Sequence, residues 1–418
     1  MNFSKIKKCR ICDSNNFSKI IDLKKQYIQG SFIKKDYPRP YLKKIPLQLI
    51  RCKKCSLVQT LYTVNPKILY KSYWYVSGVN KTMTNHLKDI AKTAVSLLQK
   101  EKIFFKTKVL DIGCNDCTLL NAYPKKYIKY GIDPSQIPLK NKGKLIKVYN
   151  NFFPSKKIIS DLKEKKIQII TSIAMFYDLQ DPKNFVKSIK KILDFNGIWI
   201  FELSYLMKML ELNSFDTICH EHLEYYSLTA LNYLMKLCNM KIFKISFNES
   251  NGGSIRCFVT HSDNYLYDNY KDNNFVKKIL ANEKKLKVNS DKPYKNFFKR
   301  IIKIKEKLII LIDDILKKNK IIHIYGASTK GNTIIQWLGI NNKKIKYAAD
   351  RNKEKWGAKT IGSNINIISE SYSRNLKPDY YLVLPWHFRS EFLAREKNFL
   401  DQGGKLIFPL PEIRVYHN

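Results

Sequence analysis

The chain has 418 residues, too many for one ordinary domain, and its 44% hydrophobic and 13% aromatic content excludes a disordered protein. Lys and Arg number 76 against 35 Asp and Glu, a formal net charge of +41. The excess is mostly lysine, scattered singly and in pairs, unlike the clustered, arginine-rich stripe of a nucleic-acid reader.

In chain order, the start MNFSKIKKCRICDSNN lacks the apolar run of a signal peptide, so a cytoplasmic protein is expected. Nine cysteines in such a chain argue against a disulfide framework. Four of them form Cys9-x-x-Cys12 and Cys52-x-x-Cys55, two knuckles that suit a closed tetrahedral zinc site with a structural role. Lys7, Lys8, Lys53 and Lys54 would offset the negative charge of a four-thiolate centre. A zinc-binding domain over 1–72 is predicted, since a segment of this size has difficulty building its own core.

Residues 107–120, TKVLDIGCNDCTLL, read as a strand, a glycine-bearing loop and a helix. Gly113 lets the backbone approach a ligand at the carboxyl end of the strand. A second strand ends in Asp133, roughly 20 residues beyond Asp111, where a carboxylate grips ribose hydroxyls. Further β-like runs at Ile167–Ile173 and Gly197–Leu203, separated by helical stretches, predict an α/β, doubly wound sheet. The loop has one glycine and carries Asp116, which would repel a pyrophosphate, so the cationic S-adenosylmethionine fits better than a nicotinamide dinucleotide. Cys114-x-x-Cys117 lies inside this loop and reads as no metal site; Cys238 and Cys257 read as buried small residues.

Beyond the middle segment, a long amphipathic helical region is predicted over about 273–319. Its most apolar run, LIILIDDIL, carries Asp313 and Asp314 and is too short for a membrane span. A strand over Ile321–Tyr325 then meets Gly326 to Asn332, where Ser328, Thr329 and Lys330 at a helix start form an anion cradle. Pro385 to Arg389, after a strand over Tyr380–Leu384, is expected to face the same cleft.

Taken together, the four-cysteine start, VLDIGCND, GIDPS, FDTICHEHLEYYS and the C-terminal IYGASTKGNTIIQWLGI resemble the sugar C-methyltransferases that act on nucleotide-linked keto-deoxysugars. The resemblance covers nearly the whole chain. It implies a zinc-binding domain (1–72), an S-adenosylmethionine-binding class I methyltransferase core (73–255) and linker helices with a Rossmann-like domain (256–418), with a nucleotide-diphosphate sugar between the last two. Asp111, Gly113, Asn115, Asp133, Tyr73 and Tyr75 are then expected at the cofactor. His222 is expected as the base that generates an enolate, with Glu221 beside it, and His220, Gly253, Arg256 and Lys330 are expected at the substrate. Three departures stand out. Cys117 replaces the usual final glycine of the loop, and Cys219 replaces a tyrosine three residues before the histidine. A histidine after the fourth strand gives way to Tyr177 or Asp178, which would take over its contact. No membrane partner is expected, and a monomer is favoured. The alternatives are a zinc-containing RNA or DNA methyltransferase, motivated by the charge, and a catalytically silent binding protein.

Overall fold

A computed structural model describes residues 2–70, 77–79, 81–100, 106–141, 143, 145–268 and 272–418. The central seven-stranded sheet is built from short, nearly uninterrupted apolar runs, as expected of parallel strands covered on both faces. Its strands are β1 (Lys108–Ile112), β2 (Ile128–Ile132), β3 (Ile146–Tyr149), β4 (Ile167–Ile173), β5 (Leu193–Ser204), β6 (Met240–Asn248) and β7 (Ser254–His261). They lie in the order β3-β2-β1-β4-β5-β7-β6, and β7 runs antiparallel to both neighbours. The boundary expected between 255 and 256 therefore cuts β7, whose eight residues all pair in this sheet.

An eight-stranded sheet forms the C-terminal unit, with Ile322–Tyr325 between Tyr380–Val383 and Tyr347–Asp350. The helical region breaks into Asp272–Lys285 and Lys292–Lys317. In the second helix Tyr294, Phe297, Ile301, Leu308, Ile312 and Ile315 are buried, spaced as one face of an α-helix requires. No helix among the described residues is long and apolar enough to cross a membrane.

The N-terminal segment forms an antiparallel sheet of Phe17–Gln26, Ile45–Cys52 and Val58–Thr60, and its fourth strand is Glu224–Tyr225 from the middle of the chain. Conversely, Phe32–Ile33 leaves that unit to pair with Lys359–Thr360 at the edge of the C-terminal sheet. The three units exchange strands, and these exchanges meet beside the residues 215–227.

Candidate active site

At the carboxyl end of β1, Gly113 has φ 78° and its N–H donates to the Ile132 carbonyl at 2.8 Å, which pins the turn to β2. Cys117 also has positive φ, 64°, so the position that departs from glycine keeps the left-handed conformation for which glycine is the usual choice. Asp133, just past β2, accepts from the Asn115 N–H at 2.9 Å and from the Ser135 N–H at 2.8 Å. Asp111 pairs opposite Thr171 across β1 and β4, and the Thr171 hydroxyl donates to it at 2.6 Å. Burial, reinforced by Asp133 and Asp116, pushes the Asp111 carboxyl up to about 7. Three carboxylates around a glycine turn fit a cationic cofactor with ribose hydroxyls and suit a phosphate poorly.

The stretch 215–227 packs against Tyr177, just past the carboxyl end of β4. The His222 Nδ1 lies 2.8 Å from the Thr217 carbonyl oxygen. A carbonyl only accepts, so the neutral ring carries its proton on Nδ1 and presents the Nε2 lone pair. Burial lowers His222 to about 4, and the Lys330 cation adds to that shift. The Tyr177 ring packs on the imidazole at 4.4 Å between centroids, and the Leu223 N–H donates to the Tyr177 carbonyl at 2.8 Å. Asp178 follows and raises the neighbouring Cys219 and Tyr225 electrostatically. Glu221 accepts from the Gly30 N–H at 2.7 Å, and its Oε2 has no hydrogen-bond partner among the described residues. Burial pushes the Glu221 carboxyl up. Buried Cys219 occupies the usual tyrosine position, and its N–H donates to the Tyr225 hydroxyl at 3.3 Å.

The C-terminal unit also reaches this stretch, where the Thr333 hydroxyl donates to the Ile218 carbonyl at 3.1 Å. Lys330 acts electrostatically on His222, Asp216 and His387, and burial lowers its own pKa. Asp216 is fully buried; one oxygen accepts from the Trp386 indole N–H at 2.9 Å, and the other has no hydrogen-bond partner among the described residues. Neither Asp216 nor Trp386 stood out as a functional residue by spacing; only their neighbours in sequence did. The loop at Gly326 repeats the geometry of the first loop. The Gly326 N–H donates to the Ala349 carbonyl at 2.8 Å, while Asp350 accepts from the N–H groups of Ala327 and Asn352 at 2.9 and 2.8 Å.

Several expected site residues lie elsewhere. His220 is buried, with Nδ1 2.9 Å from the Gln29 side-chain oxygen and Nε2 3.2 Å from the Ile45 carbonyl; burial lowers it to about 4, and a neutral ring donates to only one of these two acceptors. Arg256, expected at phosphate, points from β7 into an ion pair with Glu202 at 2.8 Å and Asp89 at 2.9 Å, because the register sets it opposite Glu202. Gly253 has φ 110°, and a Cβ there would meet the Lys208 side chain at 2.8 Å, so its glycine serves a tight turn. Tyr73 and Tyr75 lie outside the described residues.

Cys9, Cys12, Cys52 and Cys55 have their sulfur atoms within 4.8 Å of one another, with Cys9–Cys55 at 3.6 Å and Cys12–Cys52 at 3.5 Å. Sulfurs bound tetrahedrally at ~2.3 Å from zinc lie about 3.8 Å apart, so the cluster fits the ion and, with four protein ligands, leaves no open position.

Three family models match the chain: "Putative zinc binding domain" over residues 9–70, "Methyltransferase domain" over 81–244 and "C-methyltransferase C-terminal domain" over 249–411. The C-methyltransferase NovU of Streptomyces niveus is 24% identical over 413 residues, 98% of this chain and 97% of that protein. Among solved structures, an S-adenosylmethionine-dependent methyltransferase from Clostridium acetobutylicum is 14% identical, spanning 41% of this chain and 90% of its own, with a TM-score of 0.33. The plantazolicin methyltransferase BpumL, in complex with a triazolic desmethylPZN analog and SAH, is 13% identical over 44% of this chain and 87% of its own, with a TM-score of 0.35.

Proposed function

Since the chain belongs to the S-adenosylmethionine-dependent C-methyltransferases, with a zinc-binding domain, a methyltransferase domain and a C-methyltransferase C-terminal domain, we propose that its acceptor is a carbon beside the ketone of a nucleotide-linked keto-deoxysugar. The cofactor, when bound, supplies an electrophilic methyl on a cationic sulfur. Everything else falls to the protein.

A carbon becomes a nucleophile when it loses a proton and the electron pair moves onto the adjacent ketone oxygen. His222 takes that proton on Nε2, and the resulting imidazolium keeps its Nδ1–H on Thr217. Lys330 faces the negative charge that develops on the oxygen, in a cleft where few waters compete. With the methyl donor bound, the new carbon–carbon bond would form as the enolate collapses back to the ketone, while the methyl–sulfur bond breaks and leaves a neutral thioether. Glu221, held by Gly30, uses its second oxygen for a sugar hydroxyl, and Tyr177 or Asp178 lines the same subsite. The loop at Gly326, with Asp350 behind it and Lys330 at the helix start, receives the nucleotide.

The observation that carries this reading is the tautomer of His222: a ring whose Nδ1–H is fixed to a carbonyl, whose basic nitrogen is free of the proton at neutral pH, and whose neighbour is a cation. The test is mass spectrometry in heavy water with a panel of 4-keto nucleotide sugars. Deuterium should enter beside the ketone when the methyl donor is omitted, and one methyl should be gained when it is present. His222→Asn should slow both by about 10²–10⁴-fold. Deuterium entry at the wild-type rate in that variant sinks the assignment of the base.

A further inference from the structure

The His222 stretch is tied more closely to the zinc-binding unit than to its own sheet. The Thr60 N–H donates to the Leu223 carbonyl at 2.9 Å. Glu224 and Tyr225 pair antiparallel with Gln59 and Val58. On the other side of His222, Gly30 holds Glu221 and Gln29 holds His220. His222 sits between two segments anchored to another unit.

A continuous polar chain also runs from the metal ligands to this strand. The Gln59 amide donates to the Cys9 sulfur at 3.2 Å. Its oxygen accepts from both the backbone N–H and the guanidinium of Arg10, each at 3.2 Å. The same guanidinium donates to the Thr60 carbonyl at 2.9 Å and faces the Glu224 carboxylate at 3.5 Å, with both side chains almost completely buried. Burial pushes the Glu224 carboxyl up, and Arg10 is the cation that opposes that shift. Breaking such a buried pair from one side is strongly destabilising, because the other charge is left alone.

We infer that the zinc-binding knuckle is a positioning device for the catalytic base: metal at Cys9, Cys12, Cys52 and Cys55 fixes Arg10 and Gln59, and these fix the strand that follows His222. Arg10 and Glu224 are positioning residues, since neither touches the cleft. Outer-shell partners of this kind orient a ligand and are oriented by it. The coupling runs both ways. Metal loss frees residues 221–226, and disruption of Arg10–Glu224 loosens the knuckle. The inference rests on His222 being the base, but its test needs no sugar substrate.

The experiment compares the zinc-loaded protein with chelator-treated protein and with a loaded Glu224→Gln variant. Amide hydrogen exchange is followed by mass spectrometry, and the His222 ring proton is titrated by NMR. Metal removal should speed exchange across 221–226 by tenfold or more and raise the His222 midpoint from about 4 toward 6.5 as burial is lost, an effect larger than the opposing loss of the Thr217 bond. Protection of β1 and β2 and affinity for S-adenosylmethionine should stay within twofold of the loaded protein. Glu224→Gln, with its metal retained, should move both readouts in the same direction by a smaller amount. Unchanged exchange at 221–226 after metal loss overturns the inference, as does a loss spread evenly over β1 to β5. A loaded Glu224→Gln protein that matches wild type in both readouts removes the Arg10–Glu224 pair from the coupling and overturns that part. Because deuterium entry into a sugar reads the base and amide exchange reads the coupling, failure of one is distinguishable from failure of the other.

Discussion

The His222 Nδ1–H is committed to the Thr217 carbonyl, and burial together with Lys330 holds the ring near 4. A base with a lowered pKa is deprotonated above that pH and inactive below it. The acid limb of kcat/KM should therefore fall near pH 4, with little loss between pH 7 and pH 5 from this group. Lys330→Met removes a neighbouring positive charge and so favours the imidazolium; the acid limb should move upward, toward 6.5. The same variant should lower kcat on the order of 10²–10³-fold, as expected when a group facing an oxyanion is lost. A pH profile of the variant between 4 and 8 checks both, and an acid limb that stays in place removes Lys330 from the surroundings of the base. The resemblance carried by FDTICHEHLEYYS marked His222 and Glu221 in the sequence. His220, Glu221 and His222 are consecutive polar residues, and only the fold brings Gln29 and Ile45 from another segment against His220. Cys117 shows the converse case: its residue type breaks the motif, while its backbone conformation keeps it.

At the scale of elements, two strand–loop–helix units carry the same clamp. In each, the turn glycine donates to the second strand, and a carboxylate at or just past the end of that strand accepts from a loop N–H, Asn115 to Asp133 and Ala327 to Asp350. The sequence marks the second loop, GASTKG, as an anion cradle but not its partner Asp350, because the loop matches no known dinucleotide- or phosphate-binding spacing that would point to a carboxylate. Gly326 has φ 88°, and a Cβ there would meet the Pro385 ring at 2.4 Å. Gly326→Ala should lower stability by about 1–3 kcal/mol through backbone strain, with a further loss from displacement of Pro385 and Trp386. Urea titration measures the loss. Weakened nucleotide affinity with retained S-adenosylmethionine affinity would locate the effect in the C-terminal loop. The helical region read as one stretch over 273–319 is two helices, divided near the buried Val288, whose carbonyl accepts from the Tyr294 hydroxyl at 2.7 Å. Periodicity alone could not mark that break, since amphipathic spacing resumes in phase on both sides.

Across the whole molecule, the units exchange strands: Phe32–Ile33 joins the C-terminal sheet, and Glu224–Tyr225 joins the N-terminal one. One apolar cluster includes Leu47 and Leu49 of the first unit, Phe215 and Ile218 of the catalytic stretch, and Ile324 and Trp337 of the last. A shared core of this kind links the stabilities of its parts, so calorimetry should show one cooperative transition instead of three, shifted downward when the metal is removed. Separate transitions for the N-terminal and C-terminal units would show that the exchanged strands do not couple them.

The sequence by itself determined what depends on local spacing: the four-cysteine cluster, the glycine loop with Asp111 and Asp133, and the α/β alternation. These are legible because a turn, a knuckle or a strand end needs particular residue types at fixed offsets. Only the tertiary structure decided what depends on register and on contacts distant in sequence. It drew Arg256 into an ion pair with Glu202, set His220 between the Gln29 side chain and the Ile45 carbonyl, brought Lys330 to His222, and joined the four-cysteine knuckle to the strand Glu224–Tyr225 through Arg10 and Glu224. Buried charges and imidazoles take their roles from whichever partners share their low-dielectric surroundings, and those partners are fixed by how the chain packs, not by their distance along it.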